Sequence, residues 1–181
     1  MLRTSALQTM AVQGRFGADK GAPGVLLSVV HPLAICMVIA CKGKAKALKD
    51  ALATLKSVHV LWSGPEQYFV QSSSKSESVL YTELNKKLEG LASITDQSHG
   101  RVTIRISGPK ARAVLAKGTP IDLYADEFAL GKSALTQMAH VGVHLTRTGK
   151  DEFTLSVFRG FSESFWEWLT SQAAEFGYQV T

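Results

Sequence analysis

Three residue types that make up a hydrolase triad lie within four residues of one another: Asp96, Ser98 and His99. A serine nucleophile needs a base within hydrogen-bonding reach and donors that stabilise the oxyanion. In an extended segment, neighbouring side chains point to opposite faces, so Ser98 and His99 would diverge. The sequence also lacks a G-x-S-x-G motif, which exposes a nucleophilic serine on a sharp turn. We therefore predict a turn in which Asp96 and Ser98 bond to backbone amides before a strand at Arg101.

Two histidines and two cysteines are the other candidates for metal binding or redox chemistry. His140 and His144 have the spacing that chelates a metal ion on a helix. The alternation around Gly142 instead indicates a strand, on which the two rings would lie about 13 Å apart. Cys36 and Cys41 could form one disulfide, but their apolar surroundings favour free thiols in the core. We therefore predict neither a metal site nor a catalytic residue in this chain.

The composition predicts a globular protein with a substantial core. The chain has 181 residues, of which 45% are apolar and 19% are charged, values typical of soluble domains. No apolar run reaches the length of about 18 residues that a membrane-spanning helix needs. The N-terminus lacks a compact apolar segment followed by a cleavage site. We therefore expect a cytoplasmic protein that does not associate with membranes.

The net charge of +5 is concentrated in a lysine-rich segment between Cys41 and Lys56. Nucleic-acid binding is one interpretation of such a cluster. We favour the solvated face of a helix, because Leu48 and Leu52 belong to an apolar stripe and the lysines lie mostly off it. No aromatic residue lies between the lysines to stack on bases. Nucleic acid is therefore not predicted as a partner.

Periodicity and turn residues predict the order of helices and strands. Residues 1–24 are rich in glycine and have little periodicity, so we expect a flexible N-terminal arm. The elements predicted for the first half, about 25–96, are strands at 25–30 and 34–40, a helix at 44–55, a hairpin around 63–66 and a helix containing Leu80, Leu84, Leu88 and Leu91. Those predicted for the second half, about 97–181, are a strand at 101–106, a helix from 109 to 118, a hairpin around 148–151 and a helix at 162–176.

Each half therefore has the order strand, helix, hairpin, helix. The two hairpin sequences, "LWSGPEQYFV" and "LTRTGKDEFTL", are also alike: each has an apolar start, a turn, an acid or amide, an aromatic residue and an apolar end. We predict an α+β fold in which two similar halves, sheets covered by helices, pack as one body.

Four segments, together within about residues 25–178, resemble a known family. They are "LWSGPEQYFV" (61–70), "TDQSHGRVTIRISGPKARAVL" (95–115), "GTPIDLYADEF" (118–128) and "FSESFWEWLTSQAAEFG" (161–177). The second resembles the segment of the folate-binding aminomethyltransferases with an aspartate, a serine and a histidine, then a strand, Ser-Gly-Pro and a helix. The other three are similar to the gamma subunits of heterotetrameric sarcosine oxidases.

This resemblance implies an accessory subunit. In that family an alpha chain binds NAD and has the folate domain, a beta chain carries the flavins FAD and FMN, and a delta chain binds zinc. The assembly oxidises sarcosine to glycine, forms hydrogen peroxide and passes the one-carbon unit to tetrahydrofolate. The resemblance implies alpha, beta and delta subunits as partners, and no cofactor bound by this chain.

One departure from the aminomethyltransferases implies that this chain is not catalytic by itself. Active members have a catalytic aspartate in the strand that leads into the second hairpin. The corresponding stretch here is "QMAHVGVHLTR", and no carboxylate occurs between Glu127 and Asp151. A cationic intermediate near the folate would lack its acidic partner.

A docking subunit needs an exposed surface that a partner can bury, and two tryptophans are our candidates. Trp62 lies beside the first hairpin turn, and Trp168 flanks the apolar stripe of the last helix. Tryptophan is enriched at protein interfaces, although a position at the edge of the core is the alternative for both.

Two alternative functions remain open from the sequence. One is the equivalent subunit of an N-methylglutamate-type dehydrogenase. The other is a stand-alone factor that binds folate or modifies RNA, which the positive charge would suit.

Overall fold

The structure is a computed structural model that describes residues 4–18 and 21–181. The chain divides into two compact units: one contains residues up to His31 together with Arg101–Thr181, and the other is Pro32–Gly100. In chain order the elements are β1 (Gly14–Phe16), β2 (Val25–Val29), β3 (Ala34–Ala40), α1 (Ala45–Ala53), β4 (His59–Gly64), β5 (Gln67–Ser72), α2 (Glu77–Lys87), β6 (Ala92–Asp96), β7 (Arg101–Ser107), α3 (Ala111–Ala116), β8 (Ser133–Met138), β9 (Val141–Gly149), β10 (Glu152–Phe158), α4 (Ser162–Ala173) and β11 (Tyr178–Val180).

The Pro32–Gly100 unit is an antiparallel four-stranded sheet with two helices. The strand order is β4-β5-β3-β6, which is the order of a split βαβ arrangement. Alternate residues of β3, including Cys36 and Val38, form one apolar cluster with Leu48 of α1 and with Leu80 and Leu84 of α2. The predicted hairpin is confirmed, with Trp62 of β4 opposite Tyr68 of β5.

The two helices of this unit differ at their N-termini. The Ser76 hydroxyl caps α2 by accepting a hydrogen bond from the Val79 amide at 3.4 Å, and Glu77 lies in the first turn. Both features stabilise the positive end of a helix. Helix α1 has neither, because Lys44 occupies the N-cap without a side-chain hydrogen bond and the first turn contains no acid.

The other unit has a seven-stranded sheet in the order β1-β11-β2-β7-β10-β9-β8. One face of this sheet is apolar, and its Ile104, Leu145 and Leu155 form a cluster with Val114 of α3 and Leu169 of α4. Strands β7, β9 and β10 with α3 and α4 repeat the order strand, helix, hairpin, helix of the first unit. The predicted α+β class and the repeated order are therefore confirmed.

The structure differs from the flexible arm expected at residues 1–24. In the described part of this segment, Gly14–Phe16 forms β1, and Phe16 lies opposite Tyr178 of β11. Leu7 is fully buried in the core of the same unit. The sequence does not predict β1 or β11, because three residues are too few to show the alternation of a strand.

The boundary between the halves also differs from the expected one. Strand β2, expected in the first half, pairs antiparallel with β7 and parallel with β11. It therefore lies in the sheet of the second half. Sequence proximity favours pairing with a neighbouring strand, whereas the partner of β2 in β7 is more than seventy residues away. Among the described helices, none is long and apolar enough to cross a membrane.

Candidate functional site

The segment with the triad residue types is a structural turn after β6. Ser98 is 1% exposed, and its hydroxyl accepts a hydrogen bond from the Ile35 amide at 2.9 Å and donates to the Ile35 carbonyl at 3.3 Å. The Asp96 carboxylate accepts a hydrogen bond from the Ser98 amide at 2.9 Å. The predicted turn is confirmed, and its hydrogen bonds attach it to β3.

His99 is directed to a different partner. Its Nε2 lies 3.0 Å from a carboxylate oxygen of Glu77 in the first turn of α2, and the side chain is 66% exposed. The proton of the Ser98 hydroxyl is donated to a backbone carbonyl rather than to this imidazole. Serine, base and acid are thus adjacent in sequence without forming the hydrogen-bonded relay that activates a nucleophile.

His140 and His144 do not share a strand. Ala139 and His140 form the two-residue turn between β8 and β9, with φ angles of 50° and 65°. Such positive values are required by the tight turns that join adjacent strands. His144 lies within β9 and is 2% exposed. Within residues 4–18 and 21–181, no group of three or more His, Cys, Asp or Glu side chains is arranged to hold a metal ion.

Both cysteines are free thiols, as the apolar sequence around them predicts. Cys36 is fully buried and lies opposite Asp96 of β6. Burial, with a smaller effect of the Asp96 carboxylate, raises the pKa of the Cys36 thiol to about 12. A thiol that keeps its proton near neutral pH is a poor nucleophile and metal ligand, so Cys36 is a core residue.

The second face of the larger sheet is the main feature that the sequence does not reveal. Alternation in β7, β9 and β10 predicts one apolar face and one polar, solvated face. The central part of the polar face is instead buried: the exposed fractions are 4% for Thr103, 2% for His144, 1% for Thr146 and 2% for Ser156. Thr103, Ser156 and His144 are opposite one another on adjacent strands, so they form a row across the sheet.

The hydroxyls of this face differ in their hydrogen bonding. The Thr146 hydroxyl lies 2.8 Å from the Ser133 hydroxyl, so this pair is satisfied. The hydroxyls of Thr103 and Ser156 are buried and have no hydrogen-bond partner among residues 4–18 and 21–181. A buried hydroxyl without a partner is unfavourable. This part of the polar face therefore reduces the stability of the fold.

Arg147 is a buried charge that the sequence analysis does not identify. It lies on β9 and is 7% exposed. Its guanidinium donates hydrogen bonds to the backbone carbonyls of Phe128 at 2.8 Å, Gly149 at 3.0 Å, Lys150 at 3.1 Å and Ala125 at 3.2 Å. These bonds join the loop before β8 to the β9–β10 turn. The side chain is thus committed to backbone acceptors and has a structural role.

The two candidate tryptophans have different environments. Trp62 lies on the edge strand β4 and is 45% exposed. Trp168 is half-buried beside the core of its unit, and its ring centroid is 5.7 Å from that of Phe165. A Cβ atom at Gly118 would lie only 2.3 Å from the Trp168 ring. Both remain predicted interface residues, and the exposed area is larger at Trp62.

The segment from Phe128 to Lys150 contains β8 and β9 and contains neither Asp nor Glu. Its buried ionisable side chains in the structure are His144 and Arg147. Neither residue type provides a negative charge that would stabilise a cationic intermediate.

Comparison with known proteins identifies the family. Residues 50–181 match the GCVT N-terminal domain model, and the chain belongs to that family. The fold is also that of the glycine cleavage system aminomethyltransferase T from Bartonella henselae, with a TM-score of 0.68, 17% identity and coverage of 97% of this chain and 61% of that one.

The more similar relatives are sarcosine oxidase gamma subunits. The chain is 28% identical over 134 residues to the gamma subunit of Corynebacterium sp. strain U-96 and 30% identical over 124 residues to that of strain P-1. These alignments cover 74% and 68% of this chain but only 65% and 60% of the relatives' own length.

A solved structure extends this similarity over almost the whole chain. It is a chain of the heterotetrameric sarcosine oxidase from Corynebacterium sp. U-96 in complex with pyrrole 2-carboxylate. The TM-score is 0.82 at 25% identity, with 97% of both chains covered.

Proposed function

We propose that this chain is the gamma-type subunit of a heterotetrameric sarcosine oxidase. The observation that carries the proposal is the correspondence, over 97% of both chains, with one chain of such a complex. The relatives named as gamma subunits support the same assignment.

The proposed role is accessory rather than catalytic. Ser98 and His99, whose residue types belong to the catalytic triads of hydrolases, here attach a turn to β3 and α2. The segment from Phe128 to Lys150 has no carboxylate that could stabilise an iminium ion. We therefore propose that the chain contributes docking surface, while the chemistry takes place on the other subunits.

The proposal includes the partners and cofactors that the family resemblance implies. This chain would assemble in the cytoplasm with alpha, beta and delta subunits that carry NAD, FAD, FMN, zinc and tetrahydrofolate, and would itself bind none of them. The assembled complex would oxidise sarcosine to glycine and produce hydrogen peroxide and 5,10-methylenetetrahydrofolate.

Co-expression tests the assignment. The chain is expressed alone and with the alpha, beta and delta chains from the same source, and the products are analysed by size-exclusion chromatography and native mass spectrometry. We expect one stable complex containing all four chains, and no sarcosine oxidation by the isolated chain. Failure to co-purify, or turnover of sarcosine by the chain alone, would contradict the proposal.

The substrate is tested on the assembled complex. Peroxide formation is compared with sarcosine and with N-methylglutamate as substrates, with an electron acceptor present in a parallel assay. We expect the higher kcat/KM with sarcosine. A preference for N-methylglutamate without peroxide would assign the chain to a related dehydrogenase instead.

A further inference from the structure

The outer strand of the smaller sheet leaves apolar side chains uncovered. Val60 and Trp62 of β4 are opposite Val70 and Tyr68 of β5, and the latter two belong to the cluster formed with α1 and α2. The register therefore places Val60 and Trp62 on the helix-bearing face of the sheet. They are nevertheless 37% and 45% exposed, so the helices cover the inner strands and leave β4 uncovered on this face.

Lysines lie at the same end of this sheet. Strand β3 ends at Ala40, whose amide donates a hydrogen bond to the Glu66 carbonyl in the turn between β4 and β5. The chain then passes through the exposed Lys42 and Lys44 into α1. Trp62 is two residues before the end of β4, at this same turn. The exposed indole and the two lysines are thus at one end of one face.

Neither Lys42 nor Lys44 forms an ion pair with another described residue, although the exposed Glu66 contributes one negative charge in the turn at this end. Of the exposed lysines between Cys41 and Lys56, Lys46 forms an ion pair, with Asp50 at 2.9 Å. Helix α1 adds the positive end of its dipole and has no acid in its first turn. Lysines at this end therefore destabilise the isolated helix slightly. An acidic partner would convert this repulsion into attraction.

We propose that Val60, Trp62, Lys42 and Lys44, here called the β4 docking surface, bind an acidic surface of another protein subunit. The inference rests on the proposed function, because it assigns the face that joins this chain to its complex. An exposed tryptophan beside an apolar residue is the kind of anchor that dominates binding energy, and a charged rim selects the partner and accelerates association.

Two other occupants fit the surface less well. A second copy of this chain, joined by a two-fold axis, would bring the same lysines face to face. Single-stranded nucleic acid would need aromatic side chains among the cations for successive bases, whereas Trp62 is the single aromatic residue of the surface. An acidic protein surface matches both the charge and the one large anchor.

Matched variants of the full chain test the proposal in the co-expressed complex. Trp62→Ala removes the anchor, and the double variant K42Q/K44Q removes two positive charges. The control K86Q/K87Q removes the same charge from exposed lysines in the last turn of α2. The complex is purified through a tag on the alpha chain, and retention of this chain is measured over a dilution and salt series.

We expect Trp62→Ala and K42Q/K44Q each to weaken retention about 10-fold or more, and K86Q/K87Q to change it less than about 2-fold. Retention of the wild-type chain should fall with ionic strength, and that of K42Q/K44Q should fall less steeply. The isolated K42Q/K44Q chain should be at least as thermally stable as wild type, because the charges oppose the dipole of α1. Weaker retention with undiminished stability separates lost docking from misfolding.

The outcomes separate the two proposals. If the wild-type chain does not assemble, the proposed function and this inference both fail. If it assembles and both docking variants are retained like wild type, the inference alone is overturned. It is also overturned if the isolated wild-type chain dimerises through Trp62, or if it binds poly-uridylate in a manner that K42Q/K44Q abolishes.

Discussion

Replacing Thr103 by valine should stabilise the protein, although it removes a polar group from the centre of a sheet. Thr103 is 4% exposed, and its hydroxyl has no hydrogen-bond partner in the described part of the chain. Burying a hydroxyl without a hydrogen bond costs about 1–3 kcal/mol in protein mutational data. Valine has nearly the same shape and the same preference for β-strands. We expect the free energy of unfolding to rise by about 1 kcal/mol, which corresponds to a gain in Tm of about 2–4 °C.

The same substitution at Thr146 provides the matched control. Thr146 lies on the same face of the sheet and is 1% exposed, but its hydroxyl lies 2.8 Å from that of Ser133. Thr146→Val removes this bond and leaves the Ser133 hydroxyl without its partner, so it should lower the free energy of unfolding by about 1–2 kcal/mol.

Urea unfolding of both variants, followed by far-UV circular dichroism, measures the two effects. If the free energy of unfolding rises in Thr103→Val and falls in Thr146→Val, the contribution of each buried threonine to stability depends on whether its hydroxyl has a hydrogen-bond partner. A loss of stability in Thr103→Val as large as that in Thr146→Val would refute the reasoning. It would show that the Thr103 hydroxyl has a partner, such as a buried water molecule, in solution.

Three further predictions concern the turn, the buried thiol and the half-buried indole. Ser98→Ala removes two hydrogen bonds to the backbone of β3 and should lower the free energy of unfolding by about 2 kcal/mol. The control His99→Ala, at an exposed position, should change the free energy of unfolding by less than about 0.5 kcal/mol. Equal losses for the two variants in urea unfolding would contradict this prediction. The Cys36 thiol should resist alkylation by iodoacetamide in the native protein at about pH 8. The pKa of Cys36 is raised to about 12 in the folded state, so the unfolded chain loses the thiol proton at a lower pH than the folded chain. The free energy of unfolding should therefore fall as pH rises from about 9 towards 12. The fall should be shallower in Cys36→Ala, which has no thiol at this position to titrate. Gly118→Ala places a methyl group within 2.3 Å of the Trp168 ring. The variant should therefore have a free energy of unfolding lower by about 1–3 kcal/mol and a shifted tryptophan fluorescence emission. Unchanged emission and Tm would contradict the contact between Gly118 and Trp168.

Local patterns were sufficient for several of the longer elements, but they did not predict strands β6 and β8. The hairpins β4–β5 and β9–β10, and helices α1, α2 and α4, agree with the predictions within a few residues, because amphipathic periodicity and turn residues act over short distances. The short strands β1 and β11 and the position of β2 beside β7 depend on pairing between segments far apart in sequence. Such pairing leaves no periodic signal of its own.

The candidate site shows the same division. The sequence was sufficient to reject a triad at Asp96, Ser98 and His99, because these residue types also favour a turn before a strand, and turn formation is a local property. The alternating directions of an extended segment do not apply, since Ser98 and His99 lie in the turn after β6. The sequence did not reveal that His140 lies in a tight turn, or that Arg147 donates to four backbone carbonyls. Those carbonyls belong to loops whose position depends on the packed sheet.

By itself, the sequence determined the alternating faces of β7, β9 and β10, the repeated order of elements and the absence of a carboxylate between Glu127 and Asp151. Only the tertiary structure decided that the central part of this polar face is buried, and that the hydroxyls of Thr103 and Ser156 have no partner among the described residues. The physical reason is that alternation is set by the backbone of each strand, whereas burial depends on what the rest of the chain places against it.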